Sequence, residues 1–229
     1  FEVLQTALTM MENYGFSVRN YDNYVGTADL NDKEAQLDIL AHLDIVPAGE
    51  GWTVTEPFEP VIKDGKLYGR GTADDKGPAV AALYAMRAVK ELGIPVKKNV
   101  RLILGTDEEC GSSDIAVYYK QEKEAPMTFS PDAEFPVINV EKGRLPGHFV
   151  ASFEKSDAMP KLVKIDAGLK SNVVPGKAKA VVAGVEDAVL NETAAAVTKE
   201  TEVTFTFTGC EEGVLITAEG EGAHASTPE

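Results

Sequence analysis

Acidic residues and one histidine follow several short apolar segments of this sequence, at points where strands are predicted to end. They are His42, Asp44, Asp74, Asp75, Glu108, Glu109 and Asp132. If those strand ends converge, the carboxylates would repel one another strongly unless protons or cations neutralise them. Nitrogen and oxygen ligands together favour zinc, manganese or cobalt over calcium. The pattern therefore predicts a site for two divalent metal ions that share a carboxylate.

The segment GRGTADDKG (69–77) distinguishes between a bound anion and a bound cation. A phosphate loop needs a glycine before its lysine and a serine or threonine after it, whereas here Gly77 follows Lys76. Asp74 replaces the third glycine of a dinucleotide fingerprint. One aspartate of the pair could simply cap the helix that follows. The second is then left over, and we interpret the segment as a cation loop.

His42 and Asp44 lie near the end of LDILAHLDIV (37–46), which is predicted to be a buried strand. Residues two apart on a strand share one face, so the two side chains would be neighbours. A histidine that binds a metal usually donates its second ring N–H to a carboxylate. Taken alone, the pair is a weak signal, because a lone buried histidine more often simply belongs to the core.

Glu108 and Glu109 would point to opposite faces of a regular strand. The strand must therefore end near Thr106 if both are to reach one site, and a solvated acidic loop is the alternative. Paired metals hold and deprotonate a water between them, which suits hydrolysis. A glutamate beside that water can act as a general base.

The composition excludes some partners. A net charge of −15 argues against nucleic acid, which is bound through a basic face. No segment approaches the roughly 20 apolar residues of a membrane span, so we expect no membrane partner. The two cysteines, Cys110 and Cys210, favour a reducing compartment over a disulfide framework, and we expect a cytoplasmic location.

Helical and strand patterns alternate through the first part of the chain. Helices are predicted over 1–14, over 76–93 and in SSDIAVYYKQE, and strands in LDILAHLDIV and NVRLILGTDEE. APMTFSPDAEF and PVINVEKG are predicted to be two more strand–loop units. The alternation predicts the α/β class, with a mainly parallel sheet flanked by helices.

The pattern changes after about Gly143. Five short strands are predicted in GHFVASFE, KLVKIDA, AKAVVAG, EVTFTFTG and GVLITAEG, with one helix over 185–199. This indicates a second, α+β domain that begins between Glu141 and Pro146. His224, in GEGAHASTPE, could be presented to a substrate by such a domain. A surface histidine is the alternative, and His148 is interpreted as structural.

Taken together, the motifs AHLDIVP, GRGTADDKG, TDEECGS, SPDAEFPV and GAHASTPE resemble the dinuclear-zinc exopeptidase family of carboxypeptidase G and the aminoacylases. The resemblance runs from about Leu40 to the end. AHLDIVPAGEGW and SPDAEFPVINVEKG are most similar to the dipeptidase V branch, the Xaa-His and β-alanyl dipeptidases. It implies a catalytic metallopeptidase domain over 1–143 and a lid domain over 144–229.

The resemblance also implies a metal set. His42 and Asp132 would bind one metal, Glu109 would bind the other, and Asp74 would bridge the two. The peptide bond between Asp74 and Asp75 would be cis. Zinc is the metal implied, with manganese and cobalt as alternatives.

The implied activity is hydrolysis of dipeptides that have a free N-terminus. Glu108 would be the general base for a hydroxide bound by both metals, and Asp44 would orient the histidine ligand. His224 and Asn172 would stabilise the oxyanion from the lid. Acidic groups near the site would bind the substrate amine.

The sequence departs from the family in one respect. The family closes the Glu109 metal site with a later histidine, and this sequence has three histidines in all. We therefore expect both domains to be incomplete, with the C-terminal half of the catalytic domain missing. An N-acyl amino acid hydrolase and an inactive metal-binding fragment are the alternatives, although a structural site needs no base such as Glu108. Oligomeric state stays open, with a monomer favoured for the full-length protein.

Overall fold

The computed structural model describes residues 2–49, 51–134, 136–143, 145–154, 156–168 and 170–225. Contacts divide the chain into two compact units, Phe1–Asn139 and Val140–Glu229. Their assignment as catalytic and lid domains remains a prediction. Within the described ranges, none of the helices has the length and apolar character that a bilayer crossing requires.

The first unit is built on a five-stranded sheet. Its elements are α1 (Glu2–Asn13), β1 (Ser17–Tyr21), β2 (Val25–Asp29), β3 (Ala35–His42), β4 (Val61–Lys63), β5 (Lys66–Tyr68), α2 (Lys76–Glu91), β6 (Asn99–Gly105), a 3₁₀ turn (Glu108–Cys110), α3 (Ser113–Tyr118) and β7 (Met127–Phe129). The strand order is β1-β2-β6-β3-β7, and β4 and β5 form a separate hairpin. The predicted α/β class is confirmed.

The sheet is mixed rather than mainly parallel. Strand β3 pairs in parallel with β6 and β7, whereas β1 with β2 and β2 with β6 are antiparallel. The antiparallel part arises because β1 turns directly back into β2. Asp22 and Asn23 take positive φ values of 54° and 55° there, as tight hairpin turns require. The sequence pattern did not predict this turn.

Helices cover both faces of the sheet. Leu102 and Leu104 of β6 belong to a buried cluster with apolar residues of α1 and α2. Ile103, which points the other way, packs in a second cluster with Tyr118 of α3. This alternation of apolar residues on a central strand gives three layers, and β3 lies beside β6 as its parallel partner.

Asp38 is a buried carboxyl group in the middle of β3, with 1% of its surface exposed. Its Oδ2 accepts the N–H of Ala125 at 2.9 Å, and its Oδ1 has no hydrogen-bond partner among the described residues. Burial raises the pKa of Asp38 and outweighs the lowering effect of the Ala125 N–H. The ionised form is therefore disfavoured in the folded state.

An Asp38→Asn variant is expected to gain stability relative to the parent as pH rises. When folding raises the pKa of an acid, the free energy of unfolding of the protein falls as pH rises above the unfolded pKa of about 4. The fall levels off above the folded pKa. Asparagine keeps an acceptor for Ala125 without the charge. Urea unfolding across a pH series should show that the difference in free energy of unfolding between variant and parent grows from about pH 4 upward. The exposed Asp32→Asn is the control, and a pH-independent difference would contradict this account.

The second unit contains a four-stranded antiparallel sheet. Its elements are β8 (Lys161–Ala167), β9 (Val173–Val174), β10 (Lys177–Ala183), α4 (Asp187–Thr201), β11 (Thr204–Cys210), β12 (Gly213–Glu219) and β13 (Ala223–His224). The order is β11-β12-β10-β8, and β9 pairs with β13 in a short ribbon. The helix and four of the five strands predicted here are confirmed.

Two predicted strands are wrong. GHFVASFE shows no strand over its described residues, and neither does PVINVEKG. Their apolar side chains are not buried, since Phe149 is fully exposed and Phe153 is 89% exposed. A strand needs a partner for its main-chain groups, and the described part of the chain pairs none with these segments.

Candidate metal centre

His42 is the last residue of β3, and its side chain is 3% exposed. Its Nδ1 lies 3.2 Å from the main-chain oxygen of Asp44 and 3.2 Å from Oδ1 of the same residue. A proton on Nδ1 is thus held by acceptors, which leaves a lone pair on Nε2. Nε2 is buried and has no hydrogen-bond partner among the described residues. A buried imidazole nitrogen left in this state is a natural metal ligand.

Three carboxylates from separate loops surround that nitrogen. Asp74 Oδ1 lies 3.0 Å from Nε2 and Asp132 Oδ2 lies 3.3 Å from it, with Glu108 Oε2 at 3.8 Å. The loops follow β5, β7 and β6, and β6 and β7 run parallel to β3. Parallel strands end at one edge of a sheet. The structure therefore brings these predicted residues together.

Asp44 reaches the site by a different route from the predicted one. Strand β3 ends at His42, so Asp44 lies beyond the strand and not on it as predicted. The expected proximity of the two side chains is confirmed, since Asp44 Oδ1 lies 3.2 Å from His42 Nδ1. Asp44 lies in the loop after β3, where Oδ1 accepts the N–H of Glu108 at 3.2 Å and Oδ2 accepts the N–H of Glu109 at 3.0 Å. The carboxylate thus contacts the histidine and also holds the two glutamates through their main chain.

Asp75 is a site residue that the implied metal set omits. Its side chain is fully buried, and Oδ2 accepts the main-chain N–H of His42 at 3.1 Å. Asp75, His42 and Asp132 each offer a ligand atom within 4.8 Å of the others. The peptide between Asp74 and Asp75 is cis, as the resemblance implied. The sequence signal was the doubled aspartate, but it did not show which of the two would be buried.

The helix-cap alternative for Asp75 is not borne out, because this residue makes no side-chain capping bond to α2. Lys76 and Gly77, which follow Asp75, instead make close contacts with main-chain carbonyl groups. Lys76 Nζ donates to the carbonyl of Leu43 at 3.1 Å. A Cβ on Gly77, at the start of α2, would lie 2.0 Å from the carbonyl oxygen of Thr72, so only glycine fits at this position.

A Gly77→Ala variant is expected to disrupt the metal centre. The new methyl group would collide with main chain, so residues 72–75 would have to move away from His42. Overpacking of this kind costs about 1–3 kcal/mol, and displaced ligand support lowers metal affinity by about 10–100-fold. Zinc competition with a chromogenic chelator measures the change. Gly209→Ala, where a Cβ meets nothing within 4 Å, should bind normally. Unchanged affinity in Gly77→Ala would contradict the packing account.

The electrostatics of the cluster favour a cation. Burial raises the pKa of Asp75 to about 6 despite the hydrogen bond from His42. Burial and neighbouring carboxylates also raise the pKa values of Glu108 and Asp132. Burial alone would lower the pKa of His42, but the surrounding carboxylates raise it overall. Groups shifted in this way hold protons against mutual repulsion, and a divalent ion would relieve the same repulsion.

The donor set fits a transition-metal ion better than a hard cation. One imidazole nitrogen faces several carboxylate oxygens, a mixture that suits zinc, manganese or cobalt. Glu109 is held near the site through its main-chain N–H. Its side chain as a second-metal ligand stays a prediction, and so do the individual roles of the other residues.

His224 and Asn172 belong to the second unit, where they are neighbours. In the ribbon of β9 and β13, His224 is opposite Val173, and the N–H of Ala225 donates to the carbonyl of Asn172 at 2.8 Å. Two residues far apart in sequence are thus brought to one end of a ribbon. Their proposed catalytic role remains a prediction.

The fold and the cluster together define an α/β protein with a candidate divalent-metal centre at one edge of its sheet. The chain belongs to peptidase family M20/M25/M40, whose model matches residues 39–170, more than half of the chain. This confirms the resemblance found in the sequence. The family is one of metallopeptidases, so divalent metal ions are implied.

Named relatives agree with this assignment. The chain is 38% identical over 225 residues to the Beta-Ala-Xaa dipeptidase of Lactobacillus delbrueckii subsp. lactis, covering 97% of this chain and 47% of that protein. It is 40% identical over 183 residues to YtjP of Bacillus subtilis (strain 168), covering 79% and 39%. The chain therefore spans about half or less of the length of these relatives.

One solved structure supports the fold. Human carnosine dipeptidase 1 matches with a TM-score of 0.52 at 27% identity, over 58% of this chain and 32% of that one. The likeness to a dipeptidase structure agrees with the family assignment.

Proposed function

We propose that the full-length protein is a zinc-dependent dipeptidase that cleaves dipeptides with a free N-terminus. The observation that carries this proposal is the buried Nε2 of His42, which has no hydrogen-bond partner among the described residues and faces three carboxylates. Relatives named as dipeptidases, including one for Beta-Ala-Xaa substrates, support the substrate class.

In this proposal the residues would hold two divalent ions. His42 and Asp132 would bind one, Glu109 would bind the other, and Asp74 would be shared by both. Asp74 Oδ1 and Asp132 Oδ2 both lie within 3.3 Å of the histidine nitrogen, which supports a shared site. When bound, the ions would neutralise the carboxylates, polarise the substrate carbonyl and acidify a water molecule.

Glu108 is the proposed general base. Its Oε2 lies 3.8 Å from Nε2 of His42, and about half of its side-chain surface is exposed, so it borders both the cluster and solvent. Burial raises its pKa, which helps a carboxylate to keep a proton briefly. Glu108 takes a proton from the attacking water, whose oxygen bonds to the peptide carbon. It then gives that proton to the amine nitrogen as the C–N bond breaks.

Asp44, His224 and Asn172 have supporting roles in the proposal. Asp44 fixes the histidine ring through Nδ1. His224 and Asn172, neighbours at the ribbon of β9 and β13, would stabilise the negative charge on the carbonyl oxygen. The surplus of carboxylates would attract the protonated amine of a dipeptide.

We also propose a cytoplasmic location and a monomeric state for the full-length protein. Cys110 and Cys210 are both free and exposed. Exposed thiols of this kind suit a reducing compartment. Gel filtration with light scattering measures the mass directly, and a dimer would overturn the second part of this proposal.

Paired substrates test the function. The full-length protein, stripped with a chelator and reloaded with zinc, is incubated with β-alanyl-histidine and with its N-acetyl derivative. The proposal predicts cleavage of the free dipeptide only, and only after reloading. Faster cleavage of the acetylated compound would favour the N-acyl amino acid hydrolase, and no cleavage of either would overturn the proposal.

A further inference from the structure

Two carboxylates accept four consecutive main-chain N–H groups just after β6. Asp114 Oδ2 accepts those of Thr106 at 2.6 Å and Asp107 at 3.0 Å. The next two, from Glu108 and Glu109, go to Asp44. Main-chain donors that bond to side chains no longer serve a neighbouring strand.

This bonding explains where β6 stops. The strand ends at Gly105, immediately before the first N–H that Asp114 accepts. On a continued strand, the side chains of Glu108 and Glu109 would alternate between opposite faces. Instead they lie in a 3₁₀ turn, where Glu108 Oε2 is 3.8 Å from His42 Nε2.

Burial and a further hydrogen bond hold the Asp114 side chain in this position. It is fully buried, and its Oδ1 accepts the N–H of Ile115 at 2.7 Å. A Cβ placed on Gly105 would lie 2.5 Å from Asp114 Oδ2. The carboxylate can therefore approach the strand end only because residue 105 has no side chain.

We propose that Asp114 is a positioning residue for the glutamates of the metal centre. It fixes residues 106–110 so that Glu108 and Glu109 turn toward His42, while Asp44 accepts the N–H groups of the two glutamates themselves. This inference rests on the proposed hydrolytic function. Asp114 acts only through the main chain, because both of its oxygens bond to main-chain N–H groups.

A simple loss of stability must be separated from a loss of positioning. Asp29 provides the matched control, because it is another buried carboxylate that bonds to residues of β6, and it is 7% exposed. It binds Arg101 and Asn99, near the opposite end of β6 from Gly105. Asp29→Asn should therefore destabilise the unit without moving the glutamates.

The experiment compares Asp114→Asn, Gly105→Ala and Asp29→Asn in the zinc-loaded full-length protein. Gly105→Ala displaces the carboxylate without removing its charge, so it tests the same contact from the other side. The first two variants should lower kcat by about 10–100-fold with little change in KM, because the substrate contacts stay in place. They should also speed amide exchange across 106–109. Asp29→Asn should change neither kcat nor amide exchange across 106–109, even if it lowers Tm as much as the other two variants do.

The outcomes are separable from those of the proposed function. Faster exchange across 106–109 with unchanged kcat would overturn the positioning role and leave dipeptide hydrolysis standing. Equal losses of kcat in Asp29→Asn would reduce Asp114 to a stability role and overturn the proposal as well. If the parent cleaves no dipeptide, zinc affinity decides instead. A loss of about 10–100-fold in Asp114→Asn and Gly105→Ala, but not in Asp29→Asn, supports positioning, and equal affinity overturns it.

Discussion

A Glu108→Ala variant of the full-length protein is expected to lose dipeptide turnover by about 10²–10⁴-fold, the usual contribution of a general base. Metal content should stay the same, because Glu108 Oε2 lies farther from His42 Nε2 than the oxygens of Asp74 and Asp132 do. Its main-chain N–H, which Asp44 accepts, is retained in the variant, so the loop should keep its conformation.

The lost activity is measured as turnover of β-alanyl-histidine, and the unchanged metal content is measured by mass spectrometry. Glu91→Ala is the control, since it removes an exposed glutamate that pairs with Arg87 on α2. It should leave both quantities unchanged. Parent-like turnover in Glu108→Ala would contradict the mechanism, and a loss of metal would show that Glu108 is a ligand instead.

A His42→Ala variant is expected to lose metal as well as activity. Removing the imidazole takes away the only nitrogen donor of the cluster within the described residues. It also leaves the buried Asp75 and its carboxylate neighbours with less positive charge nearby, which favours protonation over metal binding. We expect at most one zinc per chain where the parent holds two, and turnover should fall with the occupancy.

Equilibrium dialysis against zinc, followed by metal analysis, measures this loss. His148→Ala is the matched control, because His148 is exposed in the second unit. It should keep the zinc content of the parent. Full occupancy in His42→Ala would contradict the assignment of Nε2 as a ligand.

The sequence predicted which residues form the site better than it predicted the hydrogen bonds that hold them in place. Short apolar runs placed His42, Asp74, Glu108 and Asp132 at predicted strand ends, and strand ends of one sheet meet at one edge. Their proximity could therefore be inferred without coordinates. Side-chain bonds to the main chain have no such periodic signal, which is why the two N–H groups held by Asp44 were not foreseen.

The same limit explains what was missed. Asp114 lies in SSDIAVYYKQE, where the pattern indicated only a helix. The sequence does not show which main-chain N–H groups donate hydrogen bonds to its carboxylate. Burial of Asp75 rather than Asp74 depends on how the loop folds over β3. The β1–β2 hairpin depends on two non-glycine residues with positive φ, a conformation that Asp and Asn adopt more often than most residues but without certainty.

Zinc titration of the chelator-stripped full-length protein, followed by hydrolysis of β-alanyl-histidine, tests whether the His42 cluster supports catalysis through bound metal. We expect no turnover without metal, and a rise that levels off at two zinc ions per chain. Undiminished turnover in the presence of the chelator would contradict the assignment of the His42 cluster as a catalytic metal centre.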